Sequence, residues 1–145
     1  KGERKGLKFS INKNERETLK ERLKSLNLGL ENRLDTKMGL LSGGQRQAIT
    51  LLMATLKKPK ILLLDEHTAA LDPKSSKKIL EITEKVASDS EITTLMITHN
   101  IKDSLKIGTR TIMLNLGKVA IDLNGEYRKI MSPEKLQKLF DDINY

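Results

Sequence analysis

The stretch Lys60-Ile61-Leu62-Leu63-Leu64-Asp65-Glu66 constrains this chain more than any other: four branched apolar residues in a row are followed at once by two carboxylates. A run without alternation predicts a strand buried on both faces, as in a parallel sheet flanked by helices. In open sheets of that kind, ligands sit outside the carboxyl ends of the strands. Two acids placed there suit nucleotide hydrolysis, Asp65 holding Mg²⁺ through its water shell and Glu66 orienting a water. A strand followed by an acidic turn is also common, so the run needs company before it carries that chemistry.

The company lies on both sides. Upstream, Leu41-Ser42-Gly43-Gly44-Gln45-Arg46-Gln47 places a hydroxyl and two glycines before a run that reads as a helix over Gln45–Lys57. Ser42 is a natural N-cap. Glycines let a backbone approach a ligand closely, and a helix N-terminus favours phosphate through its free N–H groups and positive dipole end. Taken alone, Ser-Gly-Gly is equally a flexible turn. Downstream come Ala70-Leu71-Asp72-Pro73 and then Leu95-Met96-Ile97-Thr98-His99-Asn100, a second apolar strand ending in an imidazole.

With these four motifs in order, the chain resembles the C-terminal part of an ATP-binding-cassette ATPase. Leu41–Gln47 is similar to the family signature, Ile61–Glu66 to the Walker B strand with its catalytic glutamate, Ala70–Asp72 to the D-loop, and His99 to the switch histidine. The resemblance implies roles. Asp65 would hold Mg²⁺, Glu66 would polarise the attacking water, and His99 would contact the γ-phosphate. Ser42, Gly43, Gly44 and Gln45 would close on ATP held by a second ATPase subunit packed head to tail, with Asp72 near that interface. A homodimer working with an integral membrane permease follows, cytoplasmic and peripheral at the inner face of the cell membrane. The wording around Asp65–Asp72 resembles cassettes of amino-acid uptake systems.

Four departures from the family pattern stand out. No Gly-x-x-x-x-Gly-Lys-Ser/Thr phosphate loop occurs, and no glutamine loop is identifiable. The chain is therefore expected to be a piece of a longer cassette, somewhat more than half of one, and inactive in hydrolysis by itself. His67 stands where the family commonly has proline, and Ala69 where it commonly has serine. An exposed loop histidine is the expectation for His67. Ala69 removes one hydrogen bond that a serine could make across a dimer.

Composition narrows the alternatives. The net charge is +8, but lysines are interleaved with acids, and aromatics are only 3% of the chain, too few to form a base-stacking platform. No nucleic-acid partner is expected. A soluble cassette acting on chromosomes or ribosomes is the alternative function; its chromosome-type members carry long heptads, which Asn12–Leu40 lacks. There is no cysteine and only two histidines, which excludes disulfides and zinc-ribbon sites. No apolar run approaches the ~20 residues that cross a bilayer. A third possibility is that these residues by themselves act only as a binding or self-associating module.

The expected fold is α/β, part of a P-loop NTPase. Residues 1–58 would form a helical subdomain portion with the signature, and 59–145 the C-terminal part of the catalytic core. A first helix is predicted from Asn14 with Glu17 at N3, a stripe of Leu19, Leu23 and Leu26, and Gly29 after its end. Asp72-Pro73 opens a helix to about Ser88 with Ile79, Ile82 and Val86 inward. A strand over Ile92–Thr98 and a short helix over Asn100–Lys106 follow. Thr109–Asn115 and Val119–Leu123 flank Gly117 as a hairpin, an antiparallel edge to a largely parallel sheet, and a last helix opens at Ser132-Pro133.

Overall fold

A computed structural model describes residues 12–144. They belong to two compact units, Lys1–Lys57 and Lys58–Tyr145. The basic leader expected over Lys1–Phe9 lies outside the described residues.

The first unit is helical. Helix α1 spans Lys13–Ser25 and is opened by a capping box: the Asn12 side chain accepts from the Glu15 amide, and Glu15 reaches back to the Asn12 amide. The cap falls two residues before the expected Asn14. Asn12 and Glu15 have the same i, i+3 spacing as Asn14 and Glu17, so sequence alone could not choose between the two pairs. The C-terminal end also moves. Leu26 is the C-cap, and Asn27, at φ 55°, takes the left-handed position assigned to Gly29; asparagine is the next most tolerant residue there. Gly29, also left-handed, instead precedes a 3-10 turn at Leu30–Asn32. A second 3-10 turn, Met38–Leu40, leads into helix α2, Gly43–Thr55. Leu23, Leu26, Leu30, Leu41, Ala48, Leu51 and Leu52 are buried and form the apolar core of this unit.

The second unit is α/β. Strand β1, Ile61–Asp65, pairs in parallel with β2, Thr93–Ile97, and the crossover between them contains helix α3, Pro73–Asp89. Asp72 caps α3, accepting from the amides of Lys74 and Ser75, with Pro73 at N1. Ile79, Leu80, Ile82 and Thr83 are its buried face, while Val86 is only partly covered. Helix α4, Ile101–Lys106, is capped by Asn100.

Strands β3, Arg110–Asn115, and β4, Lys118–Asn124, form the expected hairpin. Its two turn residues, Leu116 (φ 49°) and Gly117 (φ 75°), both adopt the positive φ that a two-residue turn of this twist demands. Among the described residues the hairpin is a sheet of its own, not an edge bonded to β1–β2. Helix α5, Gly125–Ile130, was not legible, being six residues without a side-chain cap. Arg128 on it donates to Thr111 Oγ1 at 3.0 Å and to the Ile107 carbonyl at 2.7 Å. Helix α6, Pro133–Asn144, closes the described chain, with Leu136 buried.

One expectation is corrected outright. β1 is not buried on both faces: Leu62 is enclosed, but Ile61 and Leu63 are more than half exposed, as are Leu95 and Ile97 beside them. Side chains alternate along a strand, so an unbroken apolar run supplies both faces. In the described residues only one face of the β1–β2 pair is covered.

Candidate functional site

The candidate residues form two clusters, one in each unit. In the second unit, the parallel register aligns Asp65 with Ile97, so both strands end at the same level. The ladder continues one step further, the Glu66 amide donating to the Ile97 carbonyl at 3.0 Å. Glu66 thus emerges beside the turn after β2, where His99 lies. The two side chains meet, with Glu66 Oε1 at 3.0 Å from His99 Nδ1. Both are solvent-accessible, His99 more so. Asp65 is exposed at the end of β1.

The backbone at this corner is strained. Glu66 has φ 41°, in the left-handed region, which costs a residue with a Cβ roughly 1–2 kcal/mol. Such a conformation persists only where neighbours hold it. The hydrogen bond from its amide to the Ile97 carbonyl is one constraint, and a turn in which the Ala69 amide donates to the Glu66 carbonyl at 3.0 Å is another.

His67, expected in an exposed loop, is half-buried instead. Its Nε2 lies 3.0 Å from Thr83 Oγ1 on α3. Burial holds its imidazolium form down, lowering the pKa below the usual histidine value. Thr83 is almost wholly enclosed and is a residue that sequence reasoning missed. The available signal was a hydroxyl within the inward stripe of α3, four positions after Ile79.

Asp72 is exposed, and its carboxylate is engaged in capping α3. Hydrogen bonds from Ser75 hold its carboxyl below the usual range.

In the first unit, Ser42 and Gln45 form a capping box at the start of α2. Gln45 N donates to Ser42 Oγ at 3.2 Å, and Ser42 N donates to Gln45 Oε1 at 3.1 Å. Gln45 Nε2 also donates to the Leu28 carbonyl, tying the helix start to the preceding loop. Arg46 reaches back to the Leu41 carbonyl. Gly43 and Gly44 occupy the first turn itself, rather than preceding the helix. Ser42 takes the amides of Gln45 and Arg46, through its hydroxyl and its carbonyl. The Gly43 and Gly44 amides are the remaining first-turn donors, at a dipole end that favours an anion.

A family model described as ABC transporter matches residues 3–69, a span that includes Leu41–Gln47 and Ile61–Glu66. A tyrosine transport ATP-binding protein of Clostridioides difficile is 46% identical over 85% of this chain and 49% of its own length. The chain belongs to the ATP-binding-cassette transporter family. A methionine import ATP-binding protein of Clostridium tetani is 33% identical over 90% of the chain and 44% of its own length. Among solved structures, a dimeric ATP-binding cassette in a post-hydrolysis state, bound to ADP and Pi, superposes with a TM-score of 0.63 at 30% identity. That match covers 81% of this chain and 50% of the other. The chain therefore spans about half the length of the curated relatives it matches. The fold expectation holds: this is part of the ABC ATPase fold, α/β with a parallel strand pair, a hairpin and a terminal helix.

The donor set suits the family's ligand. Among the described residues no group of three or more His, Cys, Asp or Glu could hold a metal by itself. An exposed single carboxylate, Asp65, fits a Mg²⁺ that keeps most of its waters and takes its other ligands from phosphates. No helix among the described residues is long and apolar enough to cross a membrane.

Proposed function

We propose that the protein is the ATP-hydrolysing subunit of a membrane transporter, with a small-solute importer as its system. The carrying observation is the Glu66–His99 pair, 3.0 Å apart beyond the carboxyl ends of two parallel strands. A carboxylate with an imidazole against it can orient a water for in-line attack while the imidazole meets the γ-phosphate, and positioning of this kind supplies most of the catalysis in phosphoryl transfer. Asp65 would hold Mg²⁺ through water. That ion, when bound, neutralises charge on the β- and γ-phosphates.

Ser42, Gly43, Gly44 and Gln45 act on a different nucleotide, one carried by a second copy packed head to tail, and Asp72 lies near that junction. The Ser42 hydroxyl and the Gly43 amide offer accessible donors to a phosphate, whereas Gly44 is buried in the first turn and gives the helix start its close packing. ATP then holds two subunits together and hydrolysis releases them, a population shift that a permease converts to motion. The names of the relatives, tyrosine transport and methionine import, support uptake of an amino-acid-like solute. Activity would reside at the cytoplasmic face of the membrane, in a complex with an integral membrane permease and not with nucleic acid. Residues 1–145 by themselves would not turn over ATP, since no phosphate-loop motif occurs in them.

The test uses the protein as its gene encodes it. Glu66→Gln should abolish phosphate release while ATP binding persists, and the wild type should co-purify with a polytopic membrane protein. Stable partnership with a soluble nucleic-acid complex instead would refute the transporter reading.

A second reading applies to these 145 residues alone. The exposed face of Ile61, Leu63, Leu95 and Ile97 is a contiguous apolar surface of the kind that drives association. The isolated chain should self-associate in light scattering, and a clean monomer would contradict this.

A further inference from the structure

Glu66 keeps a left-handed backbone although its Cβ disfavours it, and the residue that follows is the one anchored in the protein. His67 is half-buried, and its Nε2 lies 3.0 Å from Thr83 Oγ1. The proton can be assigned from the network. Thr83 donates its own hydroxyl to the Ile79 carbonyl at 2.9 Å, within α3. Its oxygen is therefore an acceptor towards His67, and Nε2 carries the hydrogen. Thr83 is nearly sealed from solvent. The loop end of this bond is thus fixed to the middle of a long helix, one peptide unit away from the strained residue.

We propose that His67 is a positioning residue, whose Nε2–H bond to Thr83 clamps the corner after β1 and so aims the Glu66 carboxylate at His99. The clamp complements the two backbone bonds of Glu66. Those fix its amide and carbonyl, to Ile97 and Ala69, but neither reaches α3. With His67 held, the corner has constraints from β2, from its own turn and from α3. The Cα–Cβ direction of Glu66 is then held, and its side chain reaches His99 from a fixed starting point. His67 touches neither nucleotide nor water in this scheme, so its loss should not alter ATP affinity. This inference rests on Glu66 being the hydrolytic carboxylate.

The experiment measures steady-state ATP hydrolysis by the gene-encoded protein carrying His67→Ala, His67→Gln, Thr83→Val or Thr83→Ser. Loss of aim at an unchanged binding site lowers kcat and spares KM. His67→Ala and Thr83→Val should each lower kcat about 10-fold with KM for ATP unchanged. The double variant should be no worse than either single one, because both remove one bond. A glutamine side-chain amide can stand in for Nε2–H, so His67→Gln should restore most of the lost kcat, and Thr83→Ser should do the same on the other side. Should His67→Ala fail to fold, the Thr83→Val and Thr83→Ser pair decides by itself. Unchanged kcat in both disruptive variants, a raised KM, or no rescue by His67→Gln and Thr83→Ser would overturn the assignment. Glu66→Gln, run in parallel, separates the two levels: if it still hydrolyses ATP, the proposed function falls; if it is dead while the His67 and Thr83 variants are normal, only the clamp falls.

Discussion

The start of α2 and the carboxyl ends of β1 and β2 both gather candidate site residues, by opposite means. At α2 the groups are neighbours in the chain: Ser42 and Gln45 satisfy each other across three residues, and the glycines sit between them. At the strand ends, Glu66 and His99 are separated by a whole crossover and meet only because the parallel register aligns Asp65 with Ile97. A locally closed motif tolerates change elsewhere in the fold. A cluster assembled across strands inherits every error in how the strands, the helix between them and the corner are held. The strained φ of Glu66 belongs to the second kind of site.

The largest effect that could break this contrast is chemical. Glu66→Gln should lower ATP turnover about 100-fold or more in the gene-encoded protein, with nucleotide binding intact. Phosphate release and a binding titration read the two separately, and loss of binding would mean that the strand-end cluster is not primarily hydrolytic.

Next comes the support of that cluster. Ile79 on α3 is fully enclosed, and Ile79→Ala should cost about 2–5 kcal/mol in urea unfolding. An unchanged midpoint would show that α3 does not carry the second unit.

Smaller effects sharpen the α2 side. Ser42→Ala should cost about 1 kcal/mol through loss of the cap. Ser42→Asp preserves the cap but adds negative charge where a phosphate is expected. Its stability should match the wild type while ATP-dependent dimerisation in gel filtration disappears. Dimerisation that survives the aspartate would remove the α2 terminus from the nucleotide.

The smallest effect concerns an exposed pair that belongs to neither cluster. Arg16 hydrogen-bonds Asp35 and holds its carboxyl below the usual range. Because the folded value is depressed, the contribution is complete above the unfolded value of ~3.9 and is lost as pH falls through the folded one. Solvent screens the pair, so Asp35→Asn should leave the neutral-pH urea midpoint unchanged. What difference exists should close in acid, and a mutant gap that widens below about pH 4 would contradict the sign.

Much of this molecule is local enough to read directly. Ser42 as a cap, Asp72-Pro73 as a helix start and Gly117 as a hairpin turn each depend on chemistry within a few residues, and each occurs where expected. The first helix shows the limit of that method. Asn12 and Asn14 offer equal caps with equal spacing, and only the packed structure selects the first. His67 shows it more sharply, because an isolated histidine after an acid reads as a loop residue. Its partner, Thr83, lies on a helix whose inward face was read from its aliphatic residues alone.

The sequence by itself determined the motif order, the family and the alternation of helix with strand, since caps, turns and apolar periodicity act over short distances. Only the tertiary structure decided that Glu66 and His99 touch, that His67 is anchored to Thr83, and that one face of β1 is covered while the other is open. Those outcomes depend on register and on which surfaces meet, and neither is encoded in the spacing of residues along a single segment.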